Sequence, residues 1–100
     1  MKYDKLVRDK IPDYIKSKGG NVIFHIANDK EYWLKLKEKL HEEVSEFLKA
    51  ESIEEMADIL EVIDAIINYK SFSRKELENI KNKKAKERGK FQDKIILDES

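Results

Sequence analysis

The chain has 100 residues, 42% of them charged, with 21 bases balancing 21 acids, three glycines, one proline and no cysteine. That length predicts a single domain over residues 1–100, and the lack of cysteine excludes a disulfide framework, a thiolate metal site and a thiol nucleophile. The composition suits long amphipathic helices rather than a β fold, no apolar run is long enough to span a membrane, and MKYDKLVRDK has no apolar signal core, so a soluble, cytoplasmic protein is expected.

Leu6, Val7, Ile11 and Ile15 recur at helical spacing and predict a first helix within residues 4–18. Pro12 belongs in a first helical turn, which places the regular part from about Ile11. Lys18-Gly19-Gly20 ends it. NVIFHIA (21–27) is short, β-branched and aromatic, and predicts an extended segment.

Asn28 with Glu31 forms a capping-box pattern. Trp33, Leu36, Leu40, Val44, Phe47 and Leu48 then make one apolar stripe on a helix of about 29–50. Ser52 with Glu55 opens a helix of about 53–70, and Ser73 with Glu76 opens one of about 74–88 that Gly89 stops. FQDKIILD (91–98) reads as a second extended segment, its Ile95-Ile96-Leu97 a pairing partner for 21–27. The 53–70 helix is apolar on two sides. Ile59, Val62 and Ile66 fall on one, Ile53, Leu60 and Ile67 on another, which predicts a second neighbour, namely another subunit.

Charge is unevenly placed. Residues 1–41 carry ten bases and six acids, 42–64 one base and nine acids, and 65–100 ten bases and six acids. The acidic part covers the two central helices, joined by Ala50-Glu51-Ser52. So short a link makes them antiparallel neighbours. Glu46 and Glu55 are equally far from the turn, as are Glu43 and Asp58. Within each helix the two acids are i,i+3 and share a face. Four carboxylates therefore converge on one patch, and Glu55 lies on the stripe of Ile59, Val62 and Ile66. Clustered carboxylates beside a core repel and lose solvation. No base at matching positions pairs with all of them. A divalent cation offsets the repulsion, and all-oxygen ligands favour Mg²⁺, Mn²⁺ or Ca²⁺ over zinc. The Glu-x-x-His of di-iron bundles is missing. Glu55 also has a capping role that needs no metal. Glu42, Glu51, Glu54 and Glu61 read as solvated helix surface, and Trp33 and Phe47 as packing. His25 and His41 stand apart from the cluster, and Asp64 falls on an apolar stripe without an evident partner.

Two tetrads, Glu43-Val-Ser-Glu46 and Glu55-Met-Ala-Asp58, on consecutive helices resemble the ExxE…ExxD signature of the MazG-like all-α nucleotide pyrophosphohydrolases. YDKLVRDKIPDYI (3–15) and KAKERGKFQDKIIL (84–97) resemble the opening and closing segments of small stand-alone members related to phosphoribosyl-ATP pyrophosphohydrolases. The resemblance implies an all-α helical bundle completed by oligomerisation, as a homodimer or homotetramer. It implies Mg²⁺-dependent hydrolysis of a nucleoside triphosphate or related nucleotide to the monophosphate and pyrophosphate. By motif position Glu43, Glu46, Glu55 and Asp58 would hold Mg²⁺, with Mn²⁺ as an alternative, and Glu42 would assist. The short link between the motifs and Arg88-Gly89-Lys90-Phe91 in place of RGGF depart from the family and leave the substrate open.

Phosphoanhydride hydrolysis requires charge neutralisation on the phosphates and an activated water. One of the four carboxylates or Glu42 would take the water's proton; Glu42 and Glu43 are the named candidates. Lys5, Arg8, Lys86 and Arg88 are candidates for the phosphates, guanidinium groups being suited to bidentate contacts. The competing expectation is a non-catalytic helical dimerisation module that binds nucleotide or metal. A nucleic-acid binder is disfavoured, because the acidic centre opposes phosphate backbones and aromatics are not interleaved with the bases.

Overall fold

The computed structural model describes residues 4–100. Four helices follow in order: α1 (Ile11–Ser17), α2 (Asp29–Ala50), α3 (Ile53–Lys70) and α4 (Arg74–Arg88). The fold is all-α, and among the described residues there is no strand. The expected pairing of 21–27 with the 91–98 tail does not form. Ile23, Ile26, Ile95 and Ile96 are all highly exposed. The β-branched pattern was genuine, but neither segment has a neighbour within the chain to complete a ladder.

Local chemistry sets the helix ends. Pro12 sits in the first turn of α1, so residues 4–10 before it stay non-helical. The helix is therefore shorter than the 4–18 window, and Tyr3 of the opening motif lies outside the described residues. Gly19 has φ +82°, and a Cβ on Gly20 would stand 2.8 Å from Ile15 Cγ2, so the stop needs both glycines. Asn28, Ser52 and Ser73 accept from the backbone N–H of Glu31, Glu55 and Glu76 at 2.9, 3.3 and 3.1 Å. All three expected N-caps are in place.

The extensive helix–helix packing is that of α2 on α3. Glu51, in the left-handed region at φ 51°, ends α2, and Ser52 begins α3. The two helices therefore form a tight antiparallel hairpin. Its inner face buries Leu36 and Val62, with Ile59 and Ile66 half-buried beside them. At the open end Trp33 stacks on Tyr69, centroids 5.3 Å apart and planes within 3°. Lys70 Nζ lies 4.4 Å from the Trp33 centroid. Trp33 is thus a packing residue, as its periodicity indicated.

Of the two apolar sides of α3, the one carrying Ile59, Val62 and Ile66 meets α2. On the other, Ile53 and Leu60 are open to solvent together with Met56 and Ile63 beside them, whereas Ile67, expected on the same side, is half-buried. Asp64 binds outward, its Oδ1 accepting from Arg74 Nη1 at 3.1 Å. No helix among the described residues is long and apolar enough to cross a membrane.

Candidate metal centre

The turn end of the hairpin carries the carboxylates. α2 presents Glu43 one heptad beyond Leu36, on the stripe that faces α3, and the residue is 6% exposed. The first turns of α3 present Glu55 and Asp58, both half-buried. Oxygen atoms of Glu43, Glu55 and Asp58 lie within 4.8 Å of one another. Glu46, the fourth expected ligand, is exposed and stands outside this triad. It lies three residues on from Glu43, on the side of α2 that turns towards solvent.

Bases reach this patch, Lys39 by helix register and Lys5 and Arg8 from the segment before α1. Lys39 Nζ lies 3.2 Å from Glu43 Oε1 and 3.5 Å from Glu42 Oε2. Lys5 donates to Glu42 Oε1 at 3.1 Å, and Arg8 Nη2 donates to Asp58 Oδ1 at 2.8 Å. The segment before α1 is held across the hairpin by these bonds and by Lys35 Nζ, which donates to the Asp4 carbonyl at 2.9 Å. The i,i+4 spacing of Lys39 and Glu43 was visible in the sequence and is the signal that identifies this missed pair. The Arg8 and Lys5 contacts span 50 and 37 residues and have no local signal.

These ion pairs do not satisfy the cluster. Glu43 Oε2 and Glu55 Oε2 are buried without a hydrogen-bond partner. A buried carboxylate oxygen left unpaired costs about 1–3 kcal/mol, more when charged. With Asp58 these carboxylates form an oxygen-only donor set, which fits a hard divalent cation of the magnesium or manganese type. Burial pushes the Glu42 carboxyl upward, but the Lys5 hydrogen bond and the charges of Lys39 and Lys5 outweigh it and hold it below its ordinary value. Glu42 is therefore ionised and paired.

Lys86 and Arg88 lie in the last turn of α4, exposed, and the structure does not bring them to the cluster within one chain. His25 binds Glu31 Oε1 at 2.8 Å and His41 is exposed. A concavity of about 690 Å³ lies at the opposite end of the hairpin, lined by Asn28, Lys30, Trp33, Leu34 and Lys37 among others. Ten residues of α2 separate Trp33 from Glu43, a rise of about 15 Å, so this hollow is not part of the carboxylate site.

No family model matches the chain. Over 48 residues the chain is 42% identical to an uncharacterized protein of Mycolicibacterium smegmatis, covering 48% of this chain and 49% of that protein. The matched stretch thus spans about half the length of that relative. No solved structure matches.

Proposed function

We propose that the chain is a divalent-cation-dependent nucleotide pyrophosphohydrolase, cleaving a nucleoside triphosphate or related nucleotide to the monophosphate and pyrophosphate. The MazG-like motifs motivate the reaction class. The observation that carries the reading is that Glu43, Glu55 and Asp58 meet within 4.8 Å while two buried oxygens of the group, Glu43 Oε2 and Glu55 Oε2, have no hydrogen-bond partner. These three carboxylates would hold Mg²⁺ or Mn²⁺, Glu46 being exposed and outside the triad. The bound cation would neutralise phosphate oxygens and lower the pKa of water. Glu42, ionised and held by Lys5 and Lys39, would accept that water's proton. Lys39 holds Glu43 by one oxygen and leaves the other for the cation. Arg8 sits at the edge of the cluster, where a guanidinium can take a phosphate once it leaves Asp58.

The protein works on this reading as a homodimer or homotetramer. The open stripe of Ile53, Met56, Leu60 and Ile63 repeats at three- and four-residue steps, the spacing of a helix–helix seam. A cytoplasmic location fits this reading. The test is pyrophosphate release from a panel of nucleotides with magnesium and without it. Unchanged turnover in Glu43→Gln and Asp58→Asn would refute the assigned site. The presence of Lys5, Arg8 and Lys39 on the carboxylates favours a second reading, a self-associating module that binds metal or nucleotide without turnover. Calorimetric binding of magnesium or nucleotide with no product formed would select it.

A further inference from the structure

After the corner at residues 71–73, α4 leaves the hairpin. The corner is tied down by Phe72 N–H donating to Ile67 O at 3.1 Å, Ser71 N–H to Asn68 O at 3.2 Å and the Arg74–Asp64 pair. Every α4 residue except Ala85 is exposed, and so is the whole tail from Gly89 onward. A helix of 15 residues is marginal in water without a surface to pack on. Phe91 is 98% exposed, and Ile95, Ile96 and Leu97 about 80%. The radius of gyration is 18.0 Å, against about 13 Å for a compact chain of this length. The accessible surface is 9474 Å², whereas a compact monomer of 11.9 kDa shows about 5,900 Å². The excess, about 3,500 Å² per chain, is larger than the share each subunit buries in most obligate dimers. One helical seam along α3 does not account for it.

Charge says what covers the arm. Residues 81–90 carry six bases and one acid. Lys84, Lys86, Arg88 and Lys90 have no ion pair among the described residues. On the turn end of the hairpin Glu46, Glu51, Glu54 and Glu61 are exposed and equally without ion pairs among the described residues. The chain as a whole is neutral. The basic end of the arm and the acidic turn end of the hairpin therefore carry unpaired charge of opposite sign, and the corner between them is held by its own hydrogen bonds.

We infer that α4 and the tail after it pack onto a second copy of this chain, the basic end of the arm lying across that copy's carboxylate face. The carboxylate centre is then composite. Glu43, Glu55 and Asp58 come from one copy, and Lys86 and Arg88 from the other, where they can reach an anionic ligand held at the cluster. The inference rests on the self-association proposed above and not on catalysis.

The test mixes unlabelled and ¹⁵N-labelled full-length chains, lets them exchange, and joins adjacent lysines and carboxylates with a zero-length carbodiimide. Peptides carrying Lys83, Lys84 or Lys86 should appear linked to peptides from residues 42–61 as mixed-isotope pairs. Light scattering should give a multiple of 11.9 kDa. The exposed triple change Lys84→Glu, Lys86→Glu and Arg88→Glu should abolish the links still open to Lys83 and weaken assembly at least tenfold, and adding Glu51→Lys, Glu54→Lys and Glu61→Lys should restore assembly. Links found only within one isotope would mean that α4 folds back on its own hairpin, which overturns the exchange while leaving self-association intact. A multimer without α4 links has the same effect. A monomeric chain overturns both, and pyrophosphate release from the nucleotide panel remains a separate result.

Discussion

Arg8 Nη2 lies 2.8 Å from Asp58 Oδ1, across 50 residues of sequence. The pair is well exposed, with side chains 59% and 38% accessible, so its own contribution to stability is at most about 1 kcal/mol. Its effect on the cluster is larger than its effect on the fold, because Arg8 competes with a cation for Asp58. Arg8→Gln should leave the melting temperature within a few degrees of wild type and tighten magnesium binding about three- to fivefold, roughly the 1 kcal/mol of the released pair. Titration calorimetry decides the point. Weaker binding in the variant would show that Arg8 supports the cation rather than competing with it.

Glu55 carries an orphaned buried oxygen and takes part in no ion pair among the described residues. Gln at this position keeps the shape and removes the charge. In metal-free buffer Glu55→Gln should be more stable than wild type by about 1–2 kcal/mol, since it relieves repulsion with Glu43 and Asp58. With magnesium the order should reverse. Wild type gains about 2.7 kcal/mol at a metal concentration one hundred times its Kd, and the variant gains little. Denaturant melts with and without magnesium measure both. A variant that is less stable without metal would mean the carboxylate serves the fold.

The sequence carried the helices well because their signals are local. Asn28, Ser52 and Ser73 cap the helices they were expected to open, and α3 spans Ile53–Lys70 as expected. The convergence of Glu43, Glu55 and Asp58 was also legible, because a tight antiparallel turn converts distance from the turn into contact, but Glu46, expected level with Glu55, is exposed and outside the group. Two things were not. The pairing of 21–27 with the tail needs a neighbour that propensity cannot supply, and no strand forms among the described residues. The bases on the cluster arrive partly from the segment before α1, and only Lys39 among them is placed by helix periodicity.

Lys39 is the counter-ion of the most buried acid. Its side chain is 22% accessible and Glu43's 8%. Lys39→Met leaves a buried carboxylate facing Glu55 and Asp58 with no base beside it. Without metal the variant should lose about 1–3 kcal/mol. Magnesium should recover most of that loss, so the metal-induced rise in melting temperature should be larger in the variant than in wild type. Equal metal-induced shifts would separate Lys39 from the site.

Glu42 has its carboxyl lowered from 4.5 because the Lys5 hydrogen bond and the charges of Lys39 and Lys5 outweigh the opposing effect of burial. The folded protein thus holds the carboxylate more firmly than the unfolded chain does. That stabilisation is fully present above the unfolded value and is lost as pH falls through the depressed folded value. Lys5→Gln removes part of it. Urea midpoints of the two proteins should differ at pH 6 and converge as the pH is lowered through the acid range. A gap that stays constant on acidification would mean that Lys5 acts through packing and not through Glu42.

The open side of α3 gives the last expectation. Leu60 is 55% exposed and Ile53 82%, while Val62 on the opposite side is buried. A solvent-facing Leu→Glu change usually alters monomer stability by no more than about 0.5 kcal/mol. At a helix–helix seam the same change buries a charge that has no partner, which costs several kcal/mol. Leu60→Glu should therefore leave helical content unchanged and shift the protein from multimer to monomer. The dissociation constant should rise at least tenfold by sedimentation equilibrium. Val62→Glu, on the inner side, should instead unfold the hairpin. If Leu60→Glu assembles as tightly as wild type, the seam is elsewhere. The surface excess would then have to be covered by the α4 arm alone.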